Sequence, residues 1–190
     1  AETNGVSIIT MSLGFYNVGP GDGTGNFETI LQAARAAGIL WINSAGNDAQ
    51  RHWGGAFSDT NGDGTHNFTS AANGNQVTLG SNQTLHVFLK WNEWATVSVN
   101  YDIYLFKITG PTTSVQVIGS ANSQTGASLP IEHLQYTGQG QYAIVIYKPP
   151  NQSTTSTTEL DLFVIGGSNI QFPTAERSLS DPGHSPRVVA

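Results

Sequence analysis

The chain has 190 residues, a formal net charge of −6, only 11% charged residues and no cysteine. Disulfides, thiolate catalysis and cysteine-based zinc sites are therefore excluded, and seven Lys and Arg spread along the chain provide no basic stripe for nucleic acid. No stretch approaches 18 consecutive apolar residues, so no helical membrane span is expected. Charged residues usually make up about 25% of a chain. Here Gly, Asn, Gln, Ser and Thr supply the polarity instead, which suggests an exported, extracellular bacterial protein. No signal peptide is recognisable, and a start at Ala1-Glu2-Thr3 can follow from processing.

Residues 6–13, Val-Ser-Ile-Ile-Thr-Met-Ser-Leu, form a β-branched apolar run closed by Gly14, which predicts a strand. A glycine-rich loop follows from Gly19 to Gly25, with Asp22 expected as a turn residue. Phe27, Ile30, Leu31, Ala34 and Ala37 then recur at spacings of three and four, one face of a helix. Asn26 is placed as its N-cap and Gly38 as its C′ terminator. Residues 39–45, Ile-Leu-Trp-Ile-Asn-Ser-Ala, suit a parallel strand buried on both faces, and the run breaks off into Ala45-Gly46-Asn47-Asp48. Strand, helix and strand in this order make a βαβ unit with parallel strands. Asn47 falls just past the carboxyl end of the second strand, where open α/β sheets place their chemistry. An amide there can donate to a developing oxyanion; the alternative is an Asn that caps a strand end.

Asp59-Thr60-Asn61-Gly62-Asp63-Gly64-Thr65 puts oxygen ligands at alternate positions with a glycine at the sixth, the first half of a calcium-binding loop of EF-hand type. The twelfth position is Ser70 rather than Glu and no helices flank the loop, so a regulatory EF-hand is not expected. Asp59, Asn61 and Asp63 are candidate ligands for a structural calcium ion, with an Asx-rich turn as the alternative. His66, beside this loop, is expected to be solvated, as is His184 in a second loop.

From about residue 76 the apolar period changes to two. Leu85/Val87/Leu89/Trp91, Ile103/Leu105 and Tyr142/Ile144/Ile146 alternate with their neighbours, and further strand-like runs lie at 76–79, 114–119, 131–136 and 159–165. Turn clusters such as Thr109-Gly110-Pro111 and Thr137-Gly138-Gln139-Gly140 separate them, and residues 149–158 suit an exposed hairpin loop. This pattern predicts an antiparallel β-sandwich of jelly-roll or Greek-key type. Trp91, Trp94, Tyr101, Tyr104 and Tyr147 are expected to fill its core rather than to form a sugar-stacking platform. Asp102 and Glu132 with His133 are expected as a strand-end pair or as exposed polar groups. Residues 186–190, Pro-Arg-Val-Val-Ala, begin another buried-type strand. One strand cannot bury itself, so the sandwich is expected to be inserted before the third strand of a parallel sheet.

Three of these segments resemble the subtilisin-like serine proteases. Val6-Ser-Ile-Ile-Thr-Met-Ser-Leu-Gly14 is similar to the family's V-I-N-M-S-L-G strand, and Ala45-Gly46-Asn47-Asp48 to its A-G-N oxyanion segment. The helix with Ala33-Ala34-Arg35-Ala36-Ala37-Gly38 resembles the one between those strands. Ser180-Asp181-Pro182-Gly183-His184-Ser185-Pro186-Arg187-Val188-Val189-Ala190 resembles the Y-P-G-x-x-P-x-V-I-A-V stretch that resumes the sheet. Tyr101-Asp102-Ile103-Tyr104-Leu105 and Gly140-Gln141-Tyr142-Ala143-Ile144 are similar to strands of the pre-peptidase C-terminal type of β-sandwich.

The resemblance implies a partial α/β protease domain in residues 1–50 and 179–190, with strands near 6–13, 39–45 and 186–190, interrupted by a β-sandwich at 51–178. It implies an exported endopeptidase that acts on protein or peptide, with no required cofactor. Asn47 would donate to the oxyanion, Ser12, Leu13 and Gly14 would form the edge along which substrate backbone pairs, and Ala45 and Gly46 would line the first specificity pocket. The Asp181–Pro182 bond would be cis. The family's Asp, His and Ser motifs are not found in family order, so residues 1–190 alone are expected to be inactive and the triad would belong to a longer parent chain. The alternative is a carbohydrate- or protein-binding sandwich on an inactive scaffold.

Overall fold

The computed structural model describes residues 2–152 and 158–190, so the part of the expected 149–158 loop at 153–157 lies outside the described residues. After a 3-10 turn at Glu2–Asn4, β1 (Ile8–Met11) and β2 (Leu40–Asn43) pair in parallel, from Ile8 opposite Leu40 to Met11 opposite Asn43. Helix α1 (Asn26–Ala36) lies between them in sequence. Val189 adds a parallel bridge to Ile42: its N–H donates to the Trp41 carbonyl at 3.0 Å and its carbonyl accepts from the Asn43 N–H at 2.8 Å. β2 therefore lies between β1 and the chain near Val189, with the expected third strand reduced to one bridge.

Two expectations for this unit need correction. Gly25, at φ 93°, occupies the N-cap and makes no side-chain hydrogen bond, while Asn26 is the first helical residue. Gly38 does follow the helix at φ 73°, a left-handed conformation that glycine adopts at low cost. β2 is not buried on both faces either. Ile8, Leu40, Ile42 and Val189 share one sheet face and are 57%, 46%, 37% and 56% exposed. The apolar anchors of the helical segment, Leu31 and Ile39, are buried, but nothing among the described residues closes over the Ile8–Leu40 face.

The remaining strands form one antiparallel sheet in the order β3-β8-β4-β7-β5-β6. They are β3 (His52–Ala56), β4 (Asn75–Trp91), β5 (Asp102–Gly110), β6 (Thr113–Ser120), β7 (Ile131–Tyr147) and β8 (Glu159–Ile165). β4 and β7 each unite two runs that the sequence separates. A register shift between Leu79 and Gln83 bends β4, and the facing segment of β7 carries Gly138 and Gly140, the latter at φ 114°. Thr137–Gly140, expected as a turn, instead lets the strand bend without ending. β3 has no alternating apolar signal and went unpredicted.

Residues from both halves of the bent strands, Val77 and Leu79 with Leu85, Val87 and Leu89, join Ile103, Ile144 and Leu162 in a single core. The sheet thus wraps around its own apolar face, where each fully buried Leu or Ile contributes about 1.5–3 kcal/mol. Trp91 and Tyr101 meet edge to face at 5.4 Å in this core, whereas Trp94, Tyr104 and Tyr147 are half-buried. On the opposite face, Phe88 and Phe163 receive the ring of Tyr16, with centroids 5.1 and 5.0 Å away. Asn17 donates to the carbonyls of Leu89 and Glu132 at 3.1 and 2.9 Å, and Lys90 Nζ donates to the Gly19 carbonyl at 3.3 Å. The loop after β1 is in this way fastened to the antiparallel sheet.

Candidate functional site

The parallel register puts the residues after β1 and β2 at the same end of the unit, where the Ser44 N–H donates to the Met11 carbonyl at 3.0 Å. Phe15 and Asp181 exchange two backbone hydrogen bonds of 2.9 and 3.1 Å, which brings in a third segment. Together these segments line an open cleft of about 480 Å³, to which Ser12, Gly14, Ala45, Gly46, Asn47 and Ser180 contribute along with Tyr16, Asp48, Arg51 and Ile165. Five of the six oxyanion and substrate residues that the resemblance implies thus line one cleft. The sixth, Leu13, is 60% exposed and outside the lining, and its carbonyl accepts from Asn43 Nδ2 at 3.3 Å.

Close approach dictates Gly14: a Cβ there would lie 2.0 Å from Ser180 Oγ and 3.0 Å from Ser180 Cβ. Gly46 turns the chain at φ 86°. The Asp181–Pro182 peptide is cis. Asn47 is exposed on the cleft wall; its carbonyl accepts from Arg51 at 3.4 Å, while its side-chain amide makes no hydrogen bond among the described residues. A free amide beside small residues can donate to an anionic oxygen placed in the cleft.

Sequence reasoning missed the group that braces this wall. Asp48 is 6% exposed, accepts from the Tyr16 hydroxyl at 2.7 Å and pairs with Arg51 at 3.3 Å. Burial, then the hydrogen bond to the Asp48 carboxylate, raises the Tyr16 phenol well above its ordinary pKa, so it remains a donor. The Asp48–Arg51 spacing was visible in the sequence, but nothing there tied Tyr16 to it. No imidazole lines the cleft, and Asp48, its single carboxylate, is already engaged.

His184 is not solvated: its side chain is 13% exposed and its Nε2 lies 3.2 Å from Asp181 Oδ1. Burial raises the Asp181 carboxyl above its usual range, against the pull of His184 and Lys90. His66 is also buried, 2% exposed, with its ring 4.5 Å from Trp53, 4.7 Å from Phe68 and 5.6 Å from Phe57. The Ser58 N–H donates to His66 Nδ1 at 3.0 Å, so the ring proton sits on Nε2, which is buried without a partner. Desolvation lowers its pKa to about 4.

In the 59–65 loop Asp59 accepts the N–H groups of Gly62, Asp63 and Gly64, and Asp63 accepts from Thr65, Asn61 and Asn73. Every carboxylate oxygen of the proposed ligand set thus has an internal donor, as in an Asx-rich turn. Among the described residues no group of three or more His, Cys, Asp or Glu gathers as a metal centre would. Asp22 likewise closes its own turn by accepting from the Thr24 N–H and hydroxyl.

Asp102 and Glu132 are not exposed polar groups. Glu132, 1% exposed, accepts from Ser120 Oγ, from the Asn122 N–H at 2.8 Å and from Gln124 Nε2 at 2.6 Å. Asn100 links this cluster to Asp102, donating to its carboxylate at 2.8 Å while accepting the Gln124 N–H at 2.7 Å. Burial raises the Asp102 carboxyl above its usual range. A second assembly has the composition of a catalytic relay: Thr174 Oγ1 lies 3.4 Å from His52 Nδ1, and His52 Nε2 lies 3.3 Å from Asp161. His52 is fully buried, however, and Thr174 Oγ1 accepts the Gly54 N–H at 2.7 Å, so this group ties β3 to the 174 segment. Burial pushes Asp161 up, but the bond to His52 and the charges of Arg177 and Lys90 outweigh it and hold its carboxyl low.

No family model matches the chain, and no curated protein matches it.

Proposed function

We propose that residues 1–190 belong to an exported subtilisin-like serine endopeptidase and carry its oxyanion-hole Asn and part of its substrate pocket. One observation supports this above the rest: three sequence blocks that together, and in order, resemble the family converge on a single cleft around Asn47. In this reading Asn47 donates to the tetrahedral oxyanion. Ser12 and Gly14 offer an edge for the backbone of a protein or peptide substrate, and Ala45 and Gly46 leave room for its side chain. A Ser nucleophile, His base and orienting Asp are still required for hydrolysis. They are assigned to a longer parent chain, so residues 1–190 alone do not cleave peptides. Residues 51–178 are read as an inserted jelly-roll or Greek-key β-sandwich, with its Ile165 on the wall of the cleft. A calcium ion at Asp59, Asn61 and Asp63 belongs to the same reading as a structural element, in competition with the self-bonded turn.

A binding role is favoured by a separate feature. The cleft offers amide and hydroxyl groups but no imidazole, which suits recognition of a polar ligand on an inactive scaffold. Sequencing the gene on both sides of these residues separates the two readings. Asp and His motifs upstream and a Ser motif downstream, with inactivation of the full-length protein by an organophosphate, support the protease. Their absence, together with glycan or protein binding by residues 1–190, supports the binding module.

A further inference from the structure

We propose that His86 and His133 form a site for a divalent transition-metal ion such as zinc, nickel or copper. The inference is independent of the protease reading. The two residues project from neighbouring strands, diagonal to one another: His86 is opposite Gln135 and His133 is opposite Phe88. His86 Nδ1 lies 3.3 Å from His133 Nε2 in an exposed contact. The ring planes differ by 2° with centroids 5.6 Å apart. A nitrogen separation of 3.3 Å and a larger centroid separation mean that the rings meet edge to edge, each turning a nitrogen to the other.

This spacing is what two imidazoles on one zinc ion require. Zn–N bonds of about 2.0–2.1 Å at a tetrahedral angle span about 3.3 Å between nitrogens. The ion would sit beside the line joining them, so each ring must swing by about 35° within its own plane to aim its lone pair. The surroundings permit that motion. Phe88 lies flat against His133, 4.4 Å away at 10°, and is nearly parallel to His86 at 6.1 Å and 8°. Swinging in plane slides the imidazoles across the Phe88 face without losing the stack. Phe88 is itself held by Tyr16 at 5.1 Å, which fixes the platform.

With two protein ligands, the other coordination positions face solvent and remain open to water or to a ligand group. Position matters here, since His86 pairs across the sheet with Ile165, a wall residue of the cleft. An ion at this pair would stand at the border of the Asn47 cleft.

The test is calorimetric titration of Zn²⁺ alone into the chain at neutral pH, repeated with His86→Asn, His133→Asn, the double variant and His184→Asn. The expected result is one equivalent bound with micromolar affinity by the unaltered chain. Each single substitution should weaken binding roughly tenfold or more, and the double variant little further, because either loss destroys the chelate. His184→Asn should bind as the parent does. Circular dichroism of the metal-free variants should match the parent, since both imidazoles lie on the sheet surface. Electron paramagnetic resonance of the Cu²⁺ form should report two coordinating nitrogens, reduced to one in each single variant. No saturable binding, or binding that survives both substitutions or disappears with His184→Asn, overturns the proposal.

Discussion

His66 makes acid stability a quantitative test of the core. In the unfolded chain its imidazole titrates near 6.5, and in the folded protein near 4, because Trp53, Phe57 and Phe68 exclude water from the ring. The folded-state pKa is depressed, so the unfolded state binds the extra proton first. His66 therefore contributes stability that is fully present above pH 6.5 and is lost as pH falls toward 4. At about 1.4 kcal/mol per pH unit over about 2.5 units, the full loss is about 3.5 kcal/mol, of which about 3 kcal/mol is reached by pH 4, where the folded-state imidazole is half protonated. The perturbation is His66→Asn, whose Oδ1 takes the place of Nδ1 as acceptor for the Ser58 N–H and which removes the titration. Urea unfolding of parent and variant between pH 7 and pH 4 gives two stability curves, and their difference isolates His66 from carboxylates that titrate in the same range. The difference should shrink by about 3 kcal/mol across that window, with the variant less sensitive to acid. Parallel curves, or a His66 ring signal titrating near 6.5 by nuclear magnetic resonance, would refute the buried, neutral imidazole.

Three further outcomes follow from the geometry. Gly14→Ala drives a methyl group into Ser180, so it should part the Phe15–Asp181 pairing; amide exchange at Phe15 and Asp181 should accelerate while the core of β4 and β7 stays protected. Glu132→Ala leaves the buried Gln124 amide and the part-buried Asn122 N–H without an acceptor and should cost about 3 kcal/mol or more in urea unfolding, whereas a loss under about 1 kcal/mol would mean that water replaces the carboxylate. Millimolar calcium should leave the melting temperature unchanged, because Asp59 and Asp63 are already satisfied by internal donors; a saturable rise abolished by Asp63→Ala would place the ion there.

The sequence exposed what depends on local pattern. The alternation of Leu85 to Trp91 and of Tyr142 to Ile146 marked strands that are strands. The β-branched runs at 6–13 and 39–45 located a parallel pair. What it hid depends on tertiary placement. Thr137–Gly140 has turn composition, yet pairing with β4 on one side carries the strand through it. His66 sits among polar loop residues in sequence, and only folding closes Trp53, Phe57 and Phe68 over it. Glu132 looked like a strand-end or exposed polar residue, and its donors arrive from Ser120 at the end of β6 and from Asn122 and Gln124 in the connection that follows. For the cleft, Ser12, Gly14, Ala45 and Gly46 were named only through the family resemblance, and Asn47 also through its place just past the end of a strand. Tyr16 and Asp48 were not, because their contact spans 32 positions and has no motif.

The most direct measurement for the proposed peptidase reading is the turnover of the longer parent chain that this reading requires, with Asn47 intact and with Asn47→Ala, using one peptide substrate. On the proposed peptidase reading, loss of the Asn47 donor should lower kcat by about 10²–10³ with little change in KM, the size known for such a donor. Turnover unaffected by the substitution, or a parent protein inert toward peptides and toward organophosphate, would contradict the assignment of this cleft to peptide hydrolysis.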